Sequence, residues 1–139
     1  MILLDTNVVS EPLRPVPDSR VIHWIDAQSL ETLFLSAITV AELRAGVALL
    51  PEGKRRAGLH QVLEQQLLPQ FAGRVLPFCL ACTPAYAALV AGAKAAGLAT
   101  GHADACIAAI AAANGMVVAT RDTAPFAAAG LTVINPWLT

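Results

Sequence analysis

The stretch Met1-Ile2-Leu3-Leu4-Asp5-Thr6-Asn7 decides the fold. Ile2 to Leu4 is a short, wholly apolar run that stops on an acid. Such runs mark strands buried on both faces, as in a parallel sheet. Leu33 to Leu35 and Met116 to Ala119 repeat the pattern, and Val75-Leu76 and Thr132-Val133-Ile134 are weaker copies. Helical patterns lie between them. Val40, Leu43, Val47 and Leu50 recur at helical spacing, as do Leu59, Val62, Leu63 and Leu67. Pro84 to Ala96 reads as a helix ahead of Gly97, and Ala103 to Ala113 as another, stopped by Asn114-Gly115. Asp18 is placed to cap a helix running to about Gln28, after an irregular segment marked by Pro12, Pro15 and Pro17. Strand and helix alternate throughout. The expected class is therefore α/β: a three-layer α/β/α sandwich with a mostly parallel central sheet, in one domain over residues 1–139.

Composition agrees. The chain is 56% hydrophobic and 14% charged, which excludes disorder and gives a core of useful size. No apolar stretch reaches the roughly 20 residues a membrane helix needs. The N-terminus has no basic start and meets an acid at Asp5, so no signal peptide is expected, and the cytoplasm is the expected location. Net charge is −1, without the basic footprint of a typical nucleic-acid binder.

The site candidates follow from topology. In open parallel sheets function gathers at the carboxyl ends of the strands. Asp5 ends the first strand, and Asp122 lies two residues past the run that ends near Thr120. Glu42 is expected on the first turn of the helix after the Leu33 strand. Asp104 is expected on the first turn of the helix that runs back to the Met116 strand. All four then share one rim. Each has a purely structural reading. Thr39 and Glu42 have capping-box spacing, Asp104 complements a helix dipole, Asp122 is placed to cap a short helix through Phe126, and Asp5 to cap the helix after it. None of these readings explains why the four share an edge. Without them, six acids face nine bases, a mildly basic surround for an acidic pit. Clustered carboxylates repel and call for a divalent cation, and oxygen-only donors favour Mg²⁺ or Mn²⁺ over Zn²⁺. Asp5, Glu42, Asp104 and Asp122 are thus the expected metal ligands and catalytic residues, in an arrangement suited to in-line hydrolysis of a phosphodiester.

Other motifs carry less. Cys79-Leu80-Ala81-Cys82 has C-x-x-C spacing, but no second ligand pair completes a zinc site and the flanks lack a thioredoxin-like pattern. It reads as a plain thiol pair. Lys54-Arg55-Arg56 reads as a solvated helix face. No G-x-G-x-x-G follows the first strand, which excludes a dinucleotide fold. An aspartyl-nucleophile phosphatase wants a second Asp two residues after the first, where this chain has Asn7.

With these residues in view, the chain resembles the PIN domains, and more narrowly the VapC-type toxin ribonucleases of toxin–antitoxin pairs. The resemblance spans nearly the whole sequence. It rests on the opening segment through Ser10-Glu11-Pro12-Leu13-Arg14, on Leu35-Ser36-Ala37-Ile38-Thr39-Val40-Ala41-Glu42-Leu43-Arg44, and on Ala103-Asp104. Val118-Ala119-Thr120-Arg121-Asp122-Thr123 and Asn135-Pro136-Trp137 complete it. The resemblance implies an acidic site of Asp5, Glu42, Asp104 and Asp122, with Asp5 and Asp104 as the most direct metal ligands and Thr6, Asn7 and Thr120 in support. It implies Mg²⁺-dependent cleavage of RNA and a homodimer. It also implies a small DNA-binding antitoxin that blocks the site, with operator DNA reached only through that antitoxin. An Arg from such a partner entering the acidic pit is physically sensible. A catalytically weak module that binds RNA or a partner without cleaving is the alternative. Two positions depart from the pattern: Cys79 stands where relatives often carry an acid, and His102 stands where a small or apolar residue is expected. His102 is expected to cap its helix or touch substrate. Arg121, beside Asp122, is expected to contact phosphate or anchor its loop.

Overall fold

The computed structural model describes all residues, 1–139. Five strands form one parallel sheet: β1 (Ile2–Leu4), β2 (Leu33–Ser36), β3 (Val75–Leu76), β4 (Val117–Ala119) and β5 (Val133–Ile134). Their order is β3-β2-β1-β4-β5, and every pairing is parallel. Seven helices connect them: α1 (Thr6–Ser10), α2 (Ser19–Asp26), α3 (Ala37–Ala48), α4 (Lys54–Val62), α5 (Thr83–Ala95), α6 (His102–Ala113) and α7 (Thr123–Ala128). All five apolar runs become strands, and the expected α/β sandwich is found.

Alternation along β1 divides the core. Leu4 faces a cluster with Val8, Val9, Val21, Leu43, Val47, Leu63 and Phe71 from the α1–α4 side. Leu3 faces the opposite cluster, with Ile107, Ala109, Ile110 and Phe126 from α6 and α7. Strands buried on both faces have no polar alternation, which is why β1, β2 and β4 read as continuous apolar runs. The second face is built on alanine. Residues 105–111 of α6 are all buried, five of them Ala or Cys, so this helix lies close against its neighbours.

The helix ends follow their local chemistry. Asp18 caps α2 by accepting the Arg20 amide at 2.9 Å, as expected. The α6 stop is a Schellman turn. Gly115 takes φ of 62°, and the Met116 amide reaches back to the Ala111 carbonyl at 3.0 Å. The periodic run through Leu67 departs from a simple helix. α4 closes at Val62 and passes through a π-type turn, Leu63–Leu67, into a tight 3₁₀ turn, Leu68–Phe71. Pro69 has no N–H to donate to an α-helical bond, so the chain re-forms its hydrogen bonds around it.

The order of the strands places the site. The chain winds outward from β1 through β2 to β3, then returns to lay β4 on the other side of β1. The β1–β4 boundary is thus the topological switch point, where the loops leaving the two strands part and open a crevice at their carboxyl ends. Asp5 follows β1, and Thr120 to Asp122 follow β4.

Candidate metal centre

Asp5 is built into this crevice. Its backbone amide continues the ladder, donating to the Ala119 carbonyl at 2.9 Å. Its side chain is 4% exposed and both oxygens accept hydrogen bonds. Oδ1 takes the Thr6 amide at 2.8 Å. Oδ2 takes the Thr120 hydroxyl at 2.8 Å, with the Asn7 side-chain amide further off at 3.4 Å. The capping role expected of Asp5 is therefore real, but it occupies one oxygen only. Thr120 is fully buried and also accepts the Asp122 amide at 3.0 Å. The Asn7 side-chain oxygen, Oδ1, accepts the Arg121 amide at 3.2 Å. Together these bonds tie the β1 and β4 loops to one another.

Glu42 arrives differently from the expected route. The helix cap is Ser36, whose hydroxyl accepts the Thr39 amide at 3.0 Å, so α3 begins at Ala37 and Glu42 lies on its second turn. Thr39 and Glu42 do not form a capping box. Instead the Thr6 hydroxyl donates to Glu42 Oε1 at 2.6 Å, while Thr6 meets Thr39 at 3.1 Å and Thr39 meets Ser36 at 3.2 Å. One proton per hydroxyl orders the chain: Ser36 donates to Thr39, Thr39 to Thr6, and Thr6 to Glu42. Ser36, and the link from Thr39 to Thr6, escaped the sequence reading. The signal available was the spacing Ser36-x-x-Thr39-x-x-Glu42, three polar residues on one helical face.

Asp104 lies on the first turn of α6 as expected. Asp122 sits at the cap position of α7, yet its side chain makes no capping bond. It is exposed and free to face the crevice. An apolar groove of about 330 Å³ between α5, α6 and α7 opens beside Asp104, lined mainly by alanines.

Asp5 and Asp104 feel their acidic neighbours. Burial pushes the Asp5 carboxyl above its ordinary value; the Thr120 and Thr6 bonds oppose this, and the charges of Asp104 and Glu42 add to it. Asp104 is raised first by burial, then by the charges of Asp122 and Glu42. No cation balances them. The ion pairs of the structure are Arg14–Glu11, Arg20–Asp18 and Arg44–Glu64. Arg121 is turned away, its guanidinium 5.1 Å from the Trp137 ring centre, so it anchors its loop. His102 does not cap α6. Its Nδ1 meets the Tyr86 hydroxyl at 2.9 Å, clamping α5 to α6. Glu11 is the only acid besides Asp5 that is buried, and it is spent on structure: it accepts the Asp18 amide at 3.0 Å and pairs with Arg14.

The donor set fits a hard divalent ion. It is all oxygen, in excess of positive charge, and one member is desolvated. No three His, Cys, Asp or Glu side chains close into a ready-made cage; Mg²⁺ needs only one or two direct carboxylates, with water and phosphate in its remaining positions.

Comparison with known proteins agrees. The PIN domain family model matches residues 2–131. Over 137 residues, 99% of this chain, the sequence is 67% identical to Plasmid stability protein StbB of Pseudomonas syringae pv. tomato, covering 99% of it. It is 59% identical to VapC ribonuclease Y4jK of Sinorhizobium fredii, covering 98% of that protein. It is 56% identical to Toxin FitB of Neisseria gonorrhoeae, covering 99% of that protein. The fold superposes on a chain in the crystal structure of FitAcB from Neisseria gonorrhoeae with a TM-score of 0.96, at 55% identity and full coverage of both chains. A chain in the structure of FitAB bound to an IR36 DNA fragment gives 0.95, at 55% identity over 99% of this chain and 96% of that one. The chain belongs to the PIN-domain family.

Proposed function

We propose that this protein is a Mg²⁺-dependent endoribonuclease, with Mn²⁺ as a substitute ion, and the toxin of a type II toxin–antitoxin pair. The observation that carries the reading is a set of four carboxylates, Asp5, Glu42, Asp104 and Asp122, at the switch point of a parallel sheet with no cation to balance them. The high identity to a VapC ribonuclease and to Toxin FitB supports RNA as the substrate class.

Asp5 and Asp104 hold the ion, being the two acids whose charge is costly without it. The ion supplies positive charge that acidifies water and offsets charge developing on the phosphate. The chain's own residues do the rest. Thr120 and the Thr6 amide keep the Asp5 carboxylate in one orientation. Glu42 has Oε1 occupied by Thr6, so Oε2 is free to take the proton from the attacking water. Asp122, exposed and without a capping bond, completes the acidic wall and orients solvent. Attack is in line: a new P–O bond forms as the opposite P–O bond breaks, with no covalent enzyme intermediate.

A small DNA-binding antitoxin blocks the site on this reading, and operator DNA is reached only through it. The structural likeness to FitAB bound to DNA supports that arrangement, and this chain's net charge of −1 gives it little attraction to DNA of its own. The working unit is a homodimer, as the family resemblance implies.

The test is cleavage of a mixed RNA pool by antitoxin-free protein, with Mg²⁺ and with EDTA. Cleavage in Mg²⁺ that EDTA abolishes is expected. Undiminished cleavage in EDTA overturns the metal role, and RNA binding without cleavage in either buffer moves the function to a binding module.

A further inference from the structure

Cys79 and Cys82 take no part in the acidic site. They stand on the connection between β3 and α5, where the chain turns from the strand into a 3₁₀ turn, Leu80–Cys82, that runs on into α5. Both are free thiols, with the sulfurs 3.9 Å apart. Their surroundings differ sharply. Cys79 precedes the turn in an extended conformation and is exposed. Cys82 is fully buried in the core with Leu3, Ile107 and Phe126.

We propose that Cys79 and Cys82 form a peroxide-oxidisable dithiol, with Cys79 as the attacking thiolate and Cys82 as the resolving thiol. The placement is that of a reactive pair: one sulfur is open to solvent, and the buried one waits within reach of it. The Ala81 amide and then the Cys82 thiol hold Cys79 below the ordinary thiol range. Cys106 is an internal contrast. It is 5% exposed, and burial pushes its thiol up, so it is expected to stay inert.

The chemistry balances with a hydroperoxide as oxidant. The Cys79 thiolate attacks one peroxide oxygen, the O–O bond breaks, and sulfur becomes a sulfenic acid while the other oxygen leaves as hydroxide and is protonated. The Cys82 sulfur then attacks the Cys79 sulfur. An S–S bond forms, and the sulfenic oxygen leaves as water with the Cys82 proton. Two thiols are oxidised and one peroxide is reduced to two waters. Closing the sulfurs from 3.9 Å to a bond of about 2.05 Å falls to the exposed Cys79 side chain.

The experiment treats the reduced full-length protein with hydrogen peroxide and follows intact mass and alkylatable thiols. The expected product is a monomer lighter by two hydrogens, with one alkylatable thiol in place of three, restored by dithiothreitol. In Cys82→Ala the reaction is expected to stop at a sulfenic acid on Cys79 that dimedone traps. Cys79→Ala should react about tenfold more slowly or less, and Cys106→Ala as the parent does. Circular dichroism establishes that each variant is folded. Failure to form the internal disulfide, a disulfide-linked dimer as the main product, or dependence on Cys106 overturns the proposal. So does a rate whose pH midpoint is no lower than that of a simple thiol.

Discussion

Asp5 and Asp104 on one side, and Glu42 and Asp122 on the other, divide the acidic rim into two kinds of carboxylate. Asp5 is buried and Asp104 half-buried, and both are raised above their ordinary values. The second pair is exposed. Glu42 stands on the second turn of a helix and is oriented by a hydroxyl, and Asp122 is anchored only through its backbone. A desolvated carboxylate facing like charges gains most from a divalent ion, because the ion removes a cost that water is not there to meet. An exposed carboxylate already has water and contributes by orienting it. On the proposed function, burial rather than mere presence on the rim would separate ion-holding from water-handling acids.

Substitution of each acid by its amide is the harshest test of that division. Asp5→Asn and Asp104→Asn should each lower RNA cleavage by about 10³-fold or more, since several kcal/mol of ion-dependent stabilisation is lost at about 1.4 kcal/mol per tenfold. The same two should lose the rise in melting temperature that Mg²⁺ gives the parent. Glu42→Gln and Asp122→Asn should cost about 10–100-fold and keep the Mg²⁺-dependent melting shift. Equal losses in all four, with the melting shift gone in each, would erase the distinction.

The sequence shows one half of this contrast better than the other. Asp5 stands out because an acid ending a wholly apolar strand has no surface to retreat to, and β1, β2 and β4 are readable because burial on both faces leaves no polar alternation. Asp104 is readable because the Asn114-Gly115 stop fixes where α6 ends, and a helix of ordinary length must then begin near His102. The Glu42 side is harder. Ser36 and Thr39 are both good caps, and choosing between them depends on how far β2 runs, which sheet pairing decides. The Thr120–Asp5 bond joins residues 115 apart in sequence and exists only once β4 lies beside β1. The partnership of His102 with Tyr86, sixteen residues earlier on the preceding helix, is likewise a product of packing between α5 and α6.

Thr120 offers a sharper probe, because it acts on Asp5 without carrying charge. Thr120→Val keeps the shape of a fully buried side chain but removes the hydroxyl that fixes Asp5 Oδ2. Mg²⁺ affinity or cleavage should fall about 10–100-fold, and Thr120→Ser should restore most of it. Failure of serine to rescue would make the loss one of packing and not of orientation.

Thr6 probes the exposed pair in the same way. Thr6→Val removes the hydroxyl at 2.6 Å from Glu42 while leaving the backbone amide that serves Asp5. A loss of about tenfold in kcat is expected, with Mg²⁺ affinity unchanged. A weakened Mg²⁺ affinity would place Glu42 with the ion holders.

The smallest effect is on stability, and its sign near neutrality follows from Asp5 and Asp104. Asp5 and Asp104 have folded-state pKa values above their ordinary ones. A carboxyl raised on folding binds its proton more tightly in the native state, so its stabilising contribution is complete below the unfolded pKa and is lost as pH rises through the folded one. In EDTA, the melting temperature should therefore climb by a few degrees at most as pH is lowered from neutrality through that window. Acid titration of other carboxylates limits the gain at still lower pH. The ion-paired Asp18, lowered to about 2, works in the opposite direction. Saturating Mg²⁺ should reverse the slope, because the ion binds the ionised carboxylates and its stabilisation grows as they lose their protons. Asp104→Asn should flatten both slopes, whereas Glu42→Gln should act only through the charge it removes from beside Asp5 and Asp104. Identical slopes with and without Mg²⁺ would mean that Asp5 and Asp104 do not hold the ion.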